Sequence, residues 1–417
     1  MPSPSAREHR CCLNAIEAVD REHIGCLSGM ASEGGSERDG RVEAERRLYV
    51  MDTNGETALH LAVRKGDIET VKLLLSLAPS LREKQSLSGE TAGLISSALG
   101  HKNILMELLS GDDSSRTAVL TDINGTSLLM ASIVRGDNET AMYLLEKFGK
   151  TVAMLPNRSN MLPIHVAAAQ GNIDFLKAVV KVDSGMASFR DEFGCAPALY
   201  AVQGGCLSSL RFLIEKAKAN LYAVSNKGQS LLHVACIAGH DGLVRYLISK
   251  MGTTSVTATT KDHANSIHCA AYTGRTHILS VLLGCFAKRK RKEVLAARDS
   301  RGNSPLHLAA IGNHVDTALF LVEAGAEPQL LNGQYQTARE VALIRGHGHL
   351  AGILAVAANS KWKKRRSIPI SNLQQSTTLL YSPQSRSLHD ISQIPSYRPM
   401  KVRQIPHPSE LYGHLAD

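Results

Sequence analysis

An all-α stack of about nine helix-turn-helix units is the fold class this sequence predicts, and three observations carry the prediction. First, one phrase recurs. It reads Gly-Glu-Thr-Ala-Leu-His-Leu-Ala-Val-Arg-Lys-Gly-Asp around Thr57, Gly-Gln-Ser-Leu-Leu-His-Val-Ala-Cys-Ile-Ala-Gly-His around Ser230, and Gly-Asn-Ser-Pro-Leu-His-Leu-Ala-Ala-Ile-Gly-Asn-His around Ser304. Second, the recurrence has a period. The phrase's leading position falls at Thr57, Thr91, Ser127, Leu162, Ala196, Ser230, Asn265, Ser304 and Thr337, in steps of 34, 36, 35, 34, 34, 35, 39 and 33 residues. Third, a Leu-rich stretch at helical spacing follows each phrase: Val71, Leu74 and Leu75; Leu144 and Leu145; Leu210 and Leu213; Leu243, Leu247 and Ile248. That spacing buries one face of a second helix against its neighbours.

Each element of the unit has a physical task. Thr or Ser at the leading position caps the first helix through its side-chain oxygen. Pro163, Pro197 and Pro305 fall in the first helical turn, where a missing N–H costs little. Small pairs such as Ala167-Ala168 and Ala270-Ala271 let neighbouring first helices approach closely. A residue suited to a left-handed cap closes the first helix nine positions after the leading one: Gly66, Gly100, Gly136, Gly171, Gly205, Gly239, Gly274 and Gly346, with Asn313 in the eighth unit. Turn pairs join the units: Asn54-Gly55, Asn124-Gly125, Phe193-Gly194, Lys227-Gly228, Arg301-Gly302 and Asn332-Gly333.

The phrase resembles the ankyrin signature T-P-L-H-x-A-A, and the period matches the ankyrin unit of about 33 residues. The resemblance covers the region between Met51 and Ala358 and implies a solenoid that holds protein partners. The stretch Met161-Leu162-Pro163-Ile164-His165-Val166-Ala167-Ala168-Ala169-Gln170-Gly171 looks like the repeats of the espin/forked group of actin-bundling proteins. That likeness implies a motor or cytoskeletal partner, although no counterpart of the group's actin-bundling segments is visible. The stretch from Asn303-Ser304 to Gly325-Ala326 looks equally like the repeats of synphilin, a cytoplasmic adaptor.

Three segments follow. Residues 1–50 read as a degenerate capping repeat (Leu13–Val19 and Ile24–Leu27) with a mobile loop over 31–47. Residues 51–358 form the repeat array, and residues 359–417 form a basic, disordered tail rich in Ser, Pro and Gln. The chain has 417 residues, 43% of them hydrophobic but only 4% aromatic, which suits a core packed from Ala and Leu. Its net charge of +9 is uneven: residues 361–417 hold +6, so the remaining 360 residues hold only +3. The charge is therefore a tail property, and no specific nucleic-acid partner is expected. No apolar run is long enough for a transmembrane helix, and the N-terminus lacks a signal-peptide core. The expected state is a cytoplasmic monomer without cofactors. Cys195, Cys206, Cys236, Cys269 and Cys285 then act as small buried hydrophobes in a reducing compartment.

The chemistry-bearing residues are absorbed by the repeat. His60, His165, His233, His268 and His307 share one signature position, which the ankyrin resemblance implies hydrogen-bonds loop backbone. His101, His240 and His347 follow the cap. His9, Cys11, Cys12, His23 and Cys26 lack zinc-finger spacing. Asp112-Asp113 reads as solvated loop charge. No phosphate loop, nucleophile elbow or kinase signature is present, so the chain is not expected to be an enzyme.

Binding is expected at finger and helix-entry positions of the middle repeats: Asp191, Glu192, Phe193, Asn226, Lys227, Gln229, Lys261, Asp262 and His263. An exposed Phe193 is the expected anchor. Two basic clusters stand outside the repeat pattern. Lys288, Arg289, Lys290, Arg291 and Lys292 enlarge one inter-repeat loop at the 39-residue step, and Lys361, Lys363, Lys364, Arg365 and Arg366 open the tail. Their readings are nuclear import, an acidic protein partner, or contact with an anionic membrane, the last favoured at the tail by Trp362. Ser367, Ser382 and Ser387 are candidate phosphorylation sites that would reduce the tail's positive charge. The resulting function is a non-enzymatic scaffold or adaptor, with a nuclear transcriptional cofactor or inhibitor as the alternative.

Overall fold

The computed structural model describes residues 14–20, 26–27, 47–111 and 114–358. The tail calls at Lys361–Arg366, Trp362, Ser367, Ser382 and Ser387 lie outside the described residues, as do His9, Cys11, Cys12, His23, Asp112-Asp113 and most of the 31–47 segment. The described residues fall into two compact units, one made of those up to 192 together with 215–218, the other of 193–214 and 219–358.

In unit 1 a short helix, α1 (Ala15–Asp20), precedes four repeats. Their first and second helices are α2 (Ala58–Lys65) and α3 (Ile68–Leu77), α4 (Ala92–Leu99) and α5 (Lys102–Leu108), α6 (Leu128–Arg135) and α7 (Asn138–Phe148), and α8 (Pro163–Gln170) and α9 (Ile173–Val182). Helix α1 packs on α2, and Lys65 Nζ donates to the Val19 and Asp20 carbonyls, both at 2.9 Å. With buried Ala15, Ala18, Val19, Cys26 and Leu27, these contacts realise the expected N-terminal cap.

Unit 2 holds five repeats. They are α10 (Pro197–Gln203) and α11 (Leu207–Arg211, continued by a π-helical turn), α12 (Leu231–Ala238) and α13 (Asp241–Met251), and α14 (Ser266–Tyr272) and α15 (Thr276–Gly284). After an extra helix, α16 (Lys288–Leu295), come α17 (Pro305–Ile311) with α18 (Val315–Ala324), and α19 (Ala338–Ile344) with α20 (Gly348–Ala358).

Within each unit first helices stack on first helices, and second helices form a second layer. The small pairs Ala167-Ala168 and Ala270-Ala271 are fully buried, which permits the close first-helix approach. Second-helix residues such as Leu74, Leu144, Leu247 and Leu279 are also fully buried. Each contributes about 1.5–3 kcal/mol of transfer free energy. All nine predicted closing residues, including Asn313 at φ 58°, adopt the left-handed conformation. Pro163, Pro197 and Pro305 occupy the first turns of their helices. Among the described residues no helix is long and apolar enough to cross a membrane.

Two expectations need correction. The cations Lys288–Lys292 lie in helix α16 rather than in an enlarged loop. Most repeats carry a short helical turn after the second helix, such as Pro79–Glu83, Ser114–Ala118 or Thr254–Thr257. Helix α16 is a lengthened version of that turn, anchored by buried Val294 and Leu295. The expected burial of all five repeat cysteines holds for Cys195, Cys236 and Cys269, whereas Cys206 and Cys285 are half-buried at the entry and exit of second helices.

Candidate binding surface

The finger turns are built by short polar side chains. Asp52 Oδ1 accepts the Asn54 and Glu56 N–H groups at 2.8 and 2.7 Å. Asp122 repeats the arrangement with Asn124 and Thr126, Asn157 with Ser159 and Met161, Asp299 with Arg301 and Asn303, and Asn332 with Gln334 and Gln336. Such side-chain acceptors close a turn without a sheet.

Successive fingers are then bonded to one another. In unit 1 Leu87 N–H donates to Asn54 O at 2.9 Å, Ile123 N–H to Ser88 O at 3.1 Å, Arg158 N–H to Asn124 O at 3.0 Å and Glu192 N–H to Ser159 O at 3.1 Å. In unit 2 Asn226 bonds to Phe193 O, Lys261 to Lys227 O, Ser300 to Asp262 O and Gly333 to Arg301 O, at 2.7–3.0 Å. The fingers of each unit thus form a backbone-bonded row. Close approach explains the tip glycines. A Cβ on Gly89 (φ 75°) would stand 2.7 Å from Ile123 N, and one on Gly302 (φ 76°) 2.4 Å from Gly333 N. We expect Gly302→Val to cost about 2–3 kcal/mol, from left-handed strain and the lost Gly333 bond. Urea unfolding checks this; an unchanged midpoint would show that the row carries no stability.

The signature histidines tie the row to the helices. His60 Nε2 lies 3.0 Å from Glu90 O, His165 Nε2 3.2 Å from Phe189 O, His233 Nε2 3.0 Å from Ala258 O, His268 Nε2 3.1 Å from Ala297 O and His307 Nε2 3.0 Å from Gln336 O. A carbonyl only accepts, so Nε2 carries the proton, and at His60, His233 and His307 Nδ1 is the acceptor. Nδ1 receives the leading residue's N–H, at 3.1 Å for His60 and 3.2 Å for His233. The hydroxyls of Thr57, Ser230 and Ser304 also donate to it, at 2.9, 2.7 and 2.8 Å. Burial is the first cause that lowers the pKa of His60, His268 and His307, and it pushes His233 down to about 4. These rings are structural and neutral. His240, His314 and His347 donate from Nε2 to Gln203 O, Tyr272 O and Ile311 O, closing the end of the preceding first helix.

The structure divides the finger residues expected to bind. Glu192, Asn226, Lys227, Lys261, Asp262 and His263 are exposed on the rows. Asp191 and Gln229 are buried and cannot meet a partner directly, which corrects their assignment. Asp191 stands at the turn-closing place that Asp52 fills in the first finger, and Gln229 precedes the helix cap, where the chain turns inward. Phe193 is half-buried rather than exposed, and its carbonyl accepts the next finger's Asn226 N–H. His263 holds a left-handed backbone (φ 57°) at a place where most fingers carry Gly and where Asn160 and Tyr335 share the conformation.

Sequence reading missed the apolar part of the row. Leu87 is 77% exposed and Ile123 49% exposed, at the same place in adjacent fingers of unit 1, and Met51 is also exposed at the base of the preceding finger. Lining up the nine fingers would have revealed them, since seven of the nine carry Thr, Arg, Glu, Asn, Lys, Ser or Gly there.

On α16, Lys288, Arg289, Lys290 and Lys292 are exposed. Arg291 is turned back, its Nε donating to Phe286 O at 2.9 Å. Lys290 pairs with Glu293 at 2.8 Å, and this contact holds the Glu293 carboxyl below its ordinary range. Among the described residues no group of three or more His, Cys, Asp or Glu side chains is placed to hold a metal ion.

Paired helices, bonded fingers and histidine ties define a protein-binding repeat array. A family model for ankyrin repeats matches residues 43–118, 164–260 and 253–332, more than half of the chain, which therefore belongs to the ankyrin-repeat family. The NF-kappa-B inhibitor cactus of Drosophila yakuba is 24% identical over 254 residues, covering 54% of this chain and 51% of cactus. The human transient receptor potential cation channel subfamily A member 1 is 26% identical over 301 residues, covering 70% of this chain and 25% of the channel. The E3 ubiquitin-protein ligase KEG of Arabidopsis thaliana is 23% identical over 312 residues, covering 69% of this chain and 18% of the ligase. The chain spans about half or less of the length of these relatives. What the matches share is the ankyrin-repeat array, a fold that binds other proteins.

Proposed function

We propose that this chain is a non-enzymatic adaptor that holds a protein partner along the finger row of unit 1. The observation that carries this reading is the pair Leu87 and Ile123, exposed in adjacent fingers fixed by backbone bonds. Exposed aliphatic side chains on a rigid frame bind at little ordering cost. The exposed polar residues of the unit 2 row, Asn226, Lys227, Lys261, Asp262 and His263, supply a second contact region. The reading places the protein in the cytoplasm, where a cytoskeletal partner is one class the row would serve. Ligase and channel activities are not carried over, because the chain matches only small parts of those relatives.

Affinity purification with quantitative mass spectrometry tests the reading. In the double variant Leu87→Glu and Ile123→Glu we expect at least one partner to fall more than tenfold, with an unchanged circular dichroism spectrum. An identical partner set would overturn it. A second reading, an inhibitor that masks a nuclear factor, draws on the likeness to cactus. It predicts that the chain retains a transcription factor in the cytoplasm, and microscopy of a tagged chain checks that.

A further inference from the structure

We infer that helix α16 and the groove beside it form a second docking surface, whose occupant is an acidic protein segment carrying an apolar anchor. The inference rests on the adaptor reading but concerns a different face, formed by the second helices of unit 2. A groove of about 520 Å³ lies between α13 and α15, lined by Arg245, Ile248, Ser280, Val281, Gly284 and Cys285. Helix α16 begins three residues beyond Cys285 and is the longest insertion in the repeat array. Its first turn consists of Lys288, Arg289, Lys290 and Arg291. Four cations at the positive end of a helix oppose its dipole, and those at i,i+3 and i,i+4 repel one another. Among the described residues Lys288, Arg289 and Lys292 have no acidic ion-pair partner; Glu293 pairs with Lys290 and adds only a longer-range attraction to Arg289. Exposed Arg245 adds a cation to the groove wall.

A charge arrangement that opposes its own helix, beside an apolar slot, marks a site completed by an anionic ligand. The chemistry of the two parts selects the ligand class. None of the groove's lining residues is aromatic, so it offers no stacking platform for nucleic-acid bases. The apolar side of α16, Val294 and Leu295, is buried, so the helix has no free apolar face to enter a membrane. Ile248 and Val281 fit an aliphatic or aromatic side chain, and the cations fit flanking carboxylates.

Fluorescence anisotropy on the full chain tests this, using a labelled 20-residue peptide of Glu and Asp with two central Leu residues. A poly-dT 20-mer and phosphatidylserine vesicles are the competing probes. The peptide is expected to bind best, more weakly as salt rises, and at least tenfold more weakly to a chain with Lys288, Arg289, Lys290 and Lys292 changed to Glu. The tail cations Lys361–Arg366 remain in every variant, so Val281→Ser supplies an independent arm. It should weaken the peptide three- to tenfold without altering net charge. Equal or tighter binding of poly-dT or vesicles, or peptide binding indifferent to both sets of substitutions, would overturn the proposal. Because Leu87 and Ile123 are untouched, these results are separable from the fate of the unit 1 finger row.

Discussion

Lowering the pH from 7 to 4 is expected to remove about 3 kcal/mol of stability through His233 alone. The folded ring titrates near 4, against a reference value of 6.5. Between those values the unfolded chain takes up a proton and the folded chain does not. The stability is therefore complete above pH 6.5 and is lost as pH falls toward 4. His60, His268 and His307 shift in the same direction and add to the loss. Protonating Nδ1 also converts an acceptor that binds backbone N–H and hydroxyl donors into a second donor. Three of the four rings lie in unit 2, so its amides should lose exchange protection first. Urea titrations at pH 7, 6, 5 and 4.5 check the prediction, the upper part of that range isolating histidines from carboxylates. His233→Leu should start less stable at pH 7 and lose about 3 kcal/mol less on acidification. A midpoint constant across this range would mean that the rings are not buried neutral.

Phe175→Ala is expected to destabilise unit 1 by about 3–5 kcal/mol. Phe175 is fully buried on α9, beside Leu176 and Val179. Its removal leaves a cavity that neighbouring first and second helices cannot fill without shifting. Because each repeat depends on its neighbours, the loss should uncouple α8 and α9 from the repeats before them. Hydrogen exchange would show this as lost protection in α8 and α9 ahead of α2 and α3. Met106→Ala, at a half-exposed site on α5, serves as the control and should change stability by less than about 0.5 kcal/mol. Equal effects of the two substitutions would contradict the assigned packing.

Repeat count, helix starts and closing residues were legible because backbone conformation restricts residue choice. A left-handed cap selects Gly or Asn, so even Asn313 was identifiable in place of glycine. The histidine role was legible through the ankyrin resemblance, because all five rings share one signature position. The binding surface was less legible. Lys288–Lys292 reads as a solvated loop, yet Lys, Arg and Glu are good helix formers, and Val294 and Leu295 provide the buried anchor. The exposure of Phe193 could not be judged from a neighbouring turn Gly, because its surroundings are set by the next finger, more than thirty residues on. Asp191 and Gln229 fall at finger and helix-entry positions, but each place recurs with a turn-closing or inward-facing role and is buried. Leu87 and Ile123 carry no motif that singles them out in the sequence, and only the bonded finger row shows them on the outside.

The most direct test of the central claim is hydroxyl-radical footprinting of the full chain with and without a partner recovered by affinity purification. The adaptor account predicts that Leu87 and Ile123 lose reactivity in the complex, while exposed Leu343 and Ile344 on α19 keep theirs. Undiminished oxidation of Leu87 and Ile123 in a saturated complex would contradict it.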